Sequence, residues 1–320
     1  MKVLITGVAG FIGFSLAQSL LKKKKIKIFG IDNFDSYYSV KLKKKRISIL
    51  KNNKNFYFYK VDITKKKSLS KFLKKNKFEQ VYHFAAQAGV RYSLLNPHKY
   101  FEVNFIGFIN LLENLILNKP KKLIYASSSS VYGDSSNFPL KENEILRPKN
   151  IYGCTKLLNE RVADYYSKIH NINCIGLRFF TVFGSWGRPD MFIIKLLNCI
   201  KKNKLFSLNN KGNHYRDFTS ITDVLNILNI LFKKKVRKHL IFNVCSNRPI
   251  FIKNLIKIIK EEFGLFKLKY EKRHPADVLK THGDNSRILK YCKINRFSNF
   301  ETELKLLIKW HNKHKIHKYS

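Results

Sequence analysis

The chain is predicted to be an α/β protein. A doubly wound parallel sheet is carried by residues 1–180, and a smaller α/β lobe is formed mainly by 181–320. Three observations predict it. Short apolar runs of strand length alternate with segments of helical period through the first 180 residues, the pattern of a parallel sheet covered on both faces. A glycine-rich turn joins the first strand to the first helix. Beyond about Phe180 the alternation loosens, and segments around 220–245 are expected to return to the sheet.

In chain order, Lys2–Thr6 reads as a buried strand. Gly7, Gly10 and Gly13 follow in a G-x-x-G-x-x-G turn that opens an amphipathic helix over 11–23. Glycines permit the tight turn, and the helix N-terminus, with Phe11 and Ile12, offers N–H groups to a pyrophosphate. This is the Rossmann-type arrangement. A second strand, 26–31, ends at Asp32-Asn33, about 20 residues beyond the last glycine. An acid at that place accepts hydrogen bonds from the adenine ribose and repels a 2′-phosphate, so NAD is expected over NADP.

Strand 56–61 ends at Asp62-Ile63, suited to contact the adenine. Strand 80–84 ends at Ala85-Ala86-Gln87, where small residues let the backbone pass close to a ligand. A long helix is expected over 94–117, with Pro97 in its first turn and Asn104 among the cofactor contacts. Strand 121–126 delivers Ser127-Ser128-Ser129-Ser130, and another strand spans 173–178. In the second half, helices are expected over 192–201, 220–232, 252–263 and 300–311, and a strand over 240–244.

The strongest chemical signal is Tyr152-x3-Lys156. The apolar positions behind it, Leu158, Val162, Tyr165 and Ile169, have a helical period, so phenol and ammonium share a face. A free tyrosine titrates near pH ~10. A cation beside it is expected to pull that value down, and a serine hydroxyl from the 127–130 run would bind the same substrate oxygen. Tyr152, Lys156 and Ser128 together form a device for taking a proton from an alcohol.

Composition bounds the alternatives. The content of 44% hydrophobic and 14% aromatic residues is globular. Lysines interrupt the apolar runs, so no membrane span is expected, and Met1-Lys2 runs straight into a strand with no signal peptide. The five cysteines show no C-x-x-C spacing, which favours a cytoplasmic location and argues against a metal site. With 63 basic and 21 acidic residues the net charge is +42. That leaves open a basic nucleic-acid-associated protein or a catalytically idle NAD-binding scaffold. The lysines fall in blocks such as 22–25, 43–45, 65–67 and 233–235, read as solvated helix ends and loops. Compositional drift is therefore favoured, and no nucleic-acid partner is expected. The field attracts a polyanionic substrate.

With these motifs in hand the chain resembles the extended short-chain dehydrogenase/reductases over essentially its whole length. Within them it is similar to the NAD-dependent nucleotide-sugar epimerases, and most to the UDP-glucuronate 4-epimerases. The residues carrying this are Ala88-Gly89-Val90-Arg91-Tyr92-Ser93, Val131-Tyr132-Gly133, Leu177 to Gly184 and Trp186-Gly187-Arg188-Pro189-Asp190-Met191. The resemblance implies NAD kept bound through turnover, a UDP-sugar substrate, and a homodimer packed through helices 94–117 and 152–170. It implies 4-epimerisation of UDP-glucuronate to UDP-galacturonate through a 4-keto sugar, for surface polysaccharide. UDP-glucose or UDP-N-acetylglucosamine stands as the alternative substrate.

It further implies that Lys156 holds the nicotinamide ribose. Ser128, Ser129 and Ser130 would meet the sugar, and Thr181, Ser185 and Arg188 its carboxylate. Arg216 and Arg273 would meet the pyrophosphate as bidentate donors, and Arg91 and Asp277 would also contact the substrate. The chain departs from the family at Cys154, Phe183, Ser185 and Pro275-Ala276-Asp277, none of them in the proton or hydride machinery. An acidic residue in the serine run, as in the related dehydratases and decarboxylases, is absent.

Overall fold

The computed structural model describes residues 1–314 and 316–319. Strands run in chain order as β1 (Lys2–Thr6), β2 (Lys27–Asp32), β3 (Phe56–Lys60), β4 (Gln80–His83), β5 (Lys122–Ser128) and β6 (Cys174–Phe179). They continue as β7 (Thr181–Phe183), β8 (Phe206–Leu208), β9 (Tyr215–Ser220), β10 (His239–Val244), β11 (Pro249–Phe251) and β12 (Leu268–Tyr270). The main sheet has the order β10-β6-β5-β4-β1-β2-β3, and every pairing in it is parallel. This is the predicted doubly wound α/β class. The order reverses beside β1, so the ligand crevice opens where β1 and β4 end.

Two apolar layers sandwich the sheet. One joins helix Phe11–Leu21 to Ile221–Lys233 through Phe14, Leu20, Val224 and Leu228, with Ile47 and Leu50 of helix Val40–Lys51 at its edge. The other face is covered by Leu69, Phe72, Phe108, Leu111, Leu112 and Ala163. A separate core of Ile193, Leu197, Phe206, Ile256, Leu304 and Leu307 builds the smaller lobe. Its strands form a β11-β9-β7 sheet and a β12-β8 pair, short elements that propensity alone does not single out.

Two expectations need correction. The helix predicted over 94–117 is broken into Tyr92–Leu95, Pro97–Tyr100, a π-helical stretch Phe101–Ile106 and Gly107–Leu117. Asn96, at φ −136°, separates the first two, consistent with the bias against helical geometry before a proline. In the π segment the Gly107 N–H reaches the Glu102 carbonyl, five residues back. Secondly, Pro97–Leu117 is long and apolar enough to cross a membrane by length and composition, contrary to the expectation that lysines interrupt every such run. Half of that window is buried inside the fold, with Phe108, Leu111, Leu112 and Leu115 in the core.

Candidate active site

The ends of the parallel strands enclose a cavity of about 380 Å³. At one end lies the glycine turn. Gly7 has φ +68°, and a Cβ there would meet the Ala85 nitrogen at 2.6 Å, so only glycine passes between β1 and β4. Helix Phe11–Leu21 starts at Gly10 without a side-chain cap, which leaves its first N–H groups for an anion. Gly7, Gly10, Phe11, Ile12 and Gly13 all line the cavity.

Asp32, at the end of β2, accepts from the Phe34 N–H at 2.8 Å and the Ala9 N–H at 3.1 Å. Burial pushes its carboxyl pKa up, while those N–H groups and the charges of Lys43 and Arg46 pull it back. Asn33 donates to Asp62 at 3.0 Å, which joins the ends of β2 and β3, and Ile63 stands beside them in the wall. Ala85, Ala86, Gln87 and Ser127 continue the lining toward the other end. The uncapped turn, the acid at the end of β2 and the small β4 end fit a dinucleotide.

Asn104 does not line the cavity. It is fully buried, accepts from the Gln87 N–H at 2.7 Å, and donates to the Gln87 carbonyl at 3.0 Å and the Thr155 hydroxyl at 3.1 Å. Its two-sided amide clamps the β4 end to the helix carrying Tyr152.

That helix, Ile151–His170, is capped by the Asn150 side chain accepting from the Gly153 N–H at 2.9 Å. Tyr152, Lys156, Ser128, Ser129 and Ser130 meet at the cavity's other end. The cation stands over the phenol ring, but the expected lowering of the Tyr152 pKa by Lys156 is not found. Lys156 Nζ lies 5.8 Å from the Tyr152 ring centroid and donates to the Ala126 carbonyl at 3.0 Å. Burial raises the Tyr152 pKa, and the opposing pulls come from the Ser128 hydroxyl and the Arg188 charge. Burial also draws Lys156 down to about 8. Beneath it His83, drawn to about 3 by burial and then by Lys156, pairs its Nδ1 with the Thr6 hydroxyl at 2.8 Å.

The substrate-side residues divide. Thr181 and Arg188 line the cavity; Ser185 is half-buried outside its walls. Arg188 is held by its near neighbour Asp190, Nε to Oδ1 at 3.0 Å and Nη2 to Oδ2 at 2.6 Å. Burial works against its charge, but Asp190 overcomes this and keeps it protonated. Arg216 on β9 and Arg91, Arg273 and Asp277 on loops gather in a second group outside the cavity. Arg91 Nη2 pairs with Asp277 at 2.7 Å, and Arg273 Nη2 donates to the Asp277 carbonyl at 3.1 Å. Burial lowers the Arg216 pKa to about 10, helped by the charges of Arg91 and Arg273.

Several residues of the site escaped the sequence reading. Lys43, taken for part of a solvated block, is buried in the cavity wall and donates to the Asp35 carbonyl at 2.5 Å. Arg46 is fully buried and holds Ala9 O at 2.8 Å, the Tyr38 hydroxyl at 2.9 Å and Trp186 O at 2.6 Å. It thereby ties the glycine turn to the loop carrying Arg188. Glu160, one turn beyond Lys156, accepts from Ser127 Oγ at 2.5 Å and forms a buried pair with Arg178 at 2.8 Å. The signal available was their three- and four-residue spacing, hidden at 43–46 by surrounding lysines. Among the described residues no group of three or more His, Cys, Asp or Glu is arranged to hold a metal ion.

Comparisons with known proteins agree with this geometry. The NAD dependent epimerase/dehydratase family matches residues 3–245. A UDP-glucuronate 4-epimerase of Thermodesulfobacterium geofontis is 35% identical over 96% of this chain and 95% of its own length. The UDP-glucuronic acid 4-epimerase of Bacillus cereus, solved in complex with UDP-glucuronic acid and NAD, superposes with a TM-score of 0.91 at 31% identity. That match covers 98% of this chain and 99% of that one. The UDP-glucose 4-epimerase of Thermotoga maritima, solved with UDP-glucose, gives 0.88 at 25% identity over 98% and 99% of the two chains. With a glycine turn, Asp32 at a strand end and a Ser/Tyr/Lys group gathered at the ends of one parallel sheet, this chain belongs to the NAD dependent epimerase/dehydratase family.

Proposed function

We propose that this protein interconverts UDP-glucuronate and UDP-galacturonate by epimerisation at C4, through a 4-keto sugar, and so supplies an activated uronate for polysaccharide. Its chemistry is that of the NAD-dependent UDP-sugar 4-epimerases, and it is an isomerase. The observation carrying the substrate choice is the placement of Arg188 and Thr181 in the same cavity as Tyr152. A charge-assisted hydrogen bond to the sugar carboxylate is worth about 1.5–3 kcal/mol, enough for roughly 10–100-fold discrimination against a neutral hexose. The Bacillus cereus and Thermodesulfobacterium geofontis relatives support the same choice.

In this reading Gly7, Gly10, Gly13, Asp32 and Lys156 would hold NAD, which would supply a reversible hydride acceptor at C4, so that no net oxidation would result. Tyr152 takes and returns the proton of the 4-hydroxyl, and Ser128 holds that oxygen with Ser129 and Ser130 alongside. Lys156 binds the nicotinamide ribose at the floor of the site. Arg91, Arg216 and Arg273 receive the pyrophosphate, with Asp277 ordering their side chains. Residues 1–180 serve mainly the cofactor and 181–320 mainly the substrate.

The pairing of Arg188 with Asp190 favours a second reading, a UDP-glucose or UDP-N-acetylglucosamine 4-epimerase, because it leaves no uncompensated cation at that wall. Product analysis by NMR of the anomeric region separates the two. Purified protein without added NAD is expected to convert UDP-glucuronate; conversion of UDP-glucose alone would transfer the assignment to the hexose. Tyr152→Phe is expected to lose about 10³-fold in turnover. An unimpaired variant would remove Tyr152 from the mechanism.

Leu94 and Leu95 of Tyr92–Leu95, Phe101 and Ile106 of the π-helical stretch, and Tyr165 and Ile169 of Ile151–His170 are exposed. They support a homodimer through these helices, and a monomer mass by light scattering would exclude it. The cysteines are free thiols, which supports a cytoplasmic setting; export of the protein in cell fractionation would refute it.

A further inference from the structure

We propose that Asp190 is a positioning residue that aims Arg188 at the substrate carboxylate, and that Tyr37 in turn holds Asp190. The inference rests on the uronate reading above and deepens it. Asp190 engages Arg188 from the side, through Nε at 3.0 Å and Nη2 at 2.6 Å. Two parallel bonds fix the plane of a guanidinium, a geometry that lysine cannot reproduce. The third nitrogen, Nη1, makes no hydrogen bond among the described residues, and Arg188 lines the cavity. The pair therefore presents an unused edge of a fixed plane to a bound sugar.

Tyr37 supplies the second half of the argument. Its hydroxyl donates to Asp190 Oδ2 at 3.2 Å, and the Arg188 guanidinium carbon stands 5.9 Å from its ring centroid. The phenol packs on Gly89, whose φ is +103° and where any Cβ would collide with the Tyr37 hydroxyl. Tyr92 closes the other side, with ring centroids 5.0 Å apart. Gly89, Tyr37, Asp190 and Arg188 thus form a continuous stack from the β4 loop to the cavity wall. Its free end addresses the C6 group.

The test is calorimetry on the NAD-loaded enzyme with two ligands, UDP-glucuronate and UDP-xylose, the second lacking C6 altogether. Asp190→Asn keeps the shape but loses one acceptor and the charge. It is expected to weaken UDP-glucuronate about tenfold while changing UDP-xylose by less than about twofold. Tyr37→Phe removes a single hydroxyl and serves if the first variant does not fold; a loss of about threefold confined to UDP-glucuronate is expected. Equal weakening of both ligands would mean a purely structural pair and overturn the inference, as would no change in either. A wild-type enzyme that does not prefer UDP-glucuronate to UDP-xylose would instead sink the uronate reading itself. Wild-type preference that persists in both variants would sink only the role of Asp190.

Discussion

Exchanging Lys156 for methionine is expected to abolish turnover and yet stabilise the folded chain at neutral pH. Lys156 is 2% exposed, and burial lowers its pKa from 10.5 to about 8. An amine whose folded value lies below its unfolded one is protonated more readily in the unfolded chain between those two values. Stability then rises with pH across that window. The burden on the fold is complete below about pH 8 and gone above about 10.5. It amounts to about 3 kcal/mol. Removing the amine also loses its bond to the Ala126 carbonyl, which offsets about 1 kcal/mol. The net gain is about 2 kcal/mol at pH 7, vanishing or reversing near pH 10. His83 does not confuse the comparison, because it is neutral throughout this range. Urea midpoints of NAD-free wild type and Lys156→Met at pH 7 and pH 10 measure the difference. A variant less stable at pH 7, or equally displaced at both pH values, would refute the account of a charged amine held in the site at a cost.

Glu160→Gln leaves the buried Arg178 without its counter-charge and is expected to cost about 3–5 kcal/mol. The double variant Glu160→Gln with Arg178→Met should recover most of that loss, and denaturation midpoints would decide it. Asn104→Leu strands the Gln87 N–H and carbonyl and is expected to destabilise by about 2–5 kcal/mol. It should also reduce the NAD retained on purification, read from the absorbance of the released cofactor.

The glycine-turn end of the cavity was legible because its rules are local. Gly7, Gly10, Gly13 and Asp32 line it through backbone geometry and strand ends, so strand–turn–helix spacing locates them. Tyr152 and Lys156 were legible by helical phase, but their relative orientation was not. That depends on the Ala126 carbonyl, which holds the ammonium over the phenol ring. Lys43 and Arg46 were hidden because the buried and solvated lysines of 41–46 share a composition and differ only in the face of a helix. Arg188 was recognised as a cation, whereas its partner Asp190 was passed over. Side-on pairing needs three-dimensional proximity, and a two-residue separation in a loop does not imply it. The short strands of the smaller lobe were missed because their partners lie far away in sequence: β9 pairs with β7 and β11 across 215–220.

The π-helical turn at Phe101–Ile106 makes chain length negotiable at one place in the helix and nowhere beyond it. A π turn takes up one residue more than an α-helical turn, so the extra residue is absorbed where it stands and Phe108, Leu111, Leu112 and Leu115 keep their facing toward the sheet. Removing one residue here would tighten the turn to regular helix and leave the phase of Gly107–Leu117 unchanged. The same deletion inside Gly107–Leu117 would rotate everything after it by about 100° and pull the later core positions off the sheet.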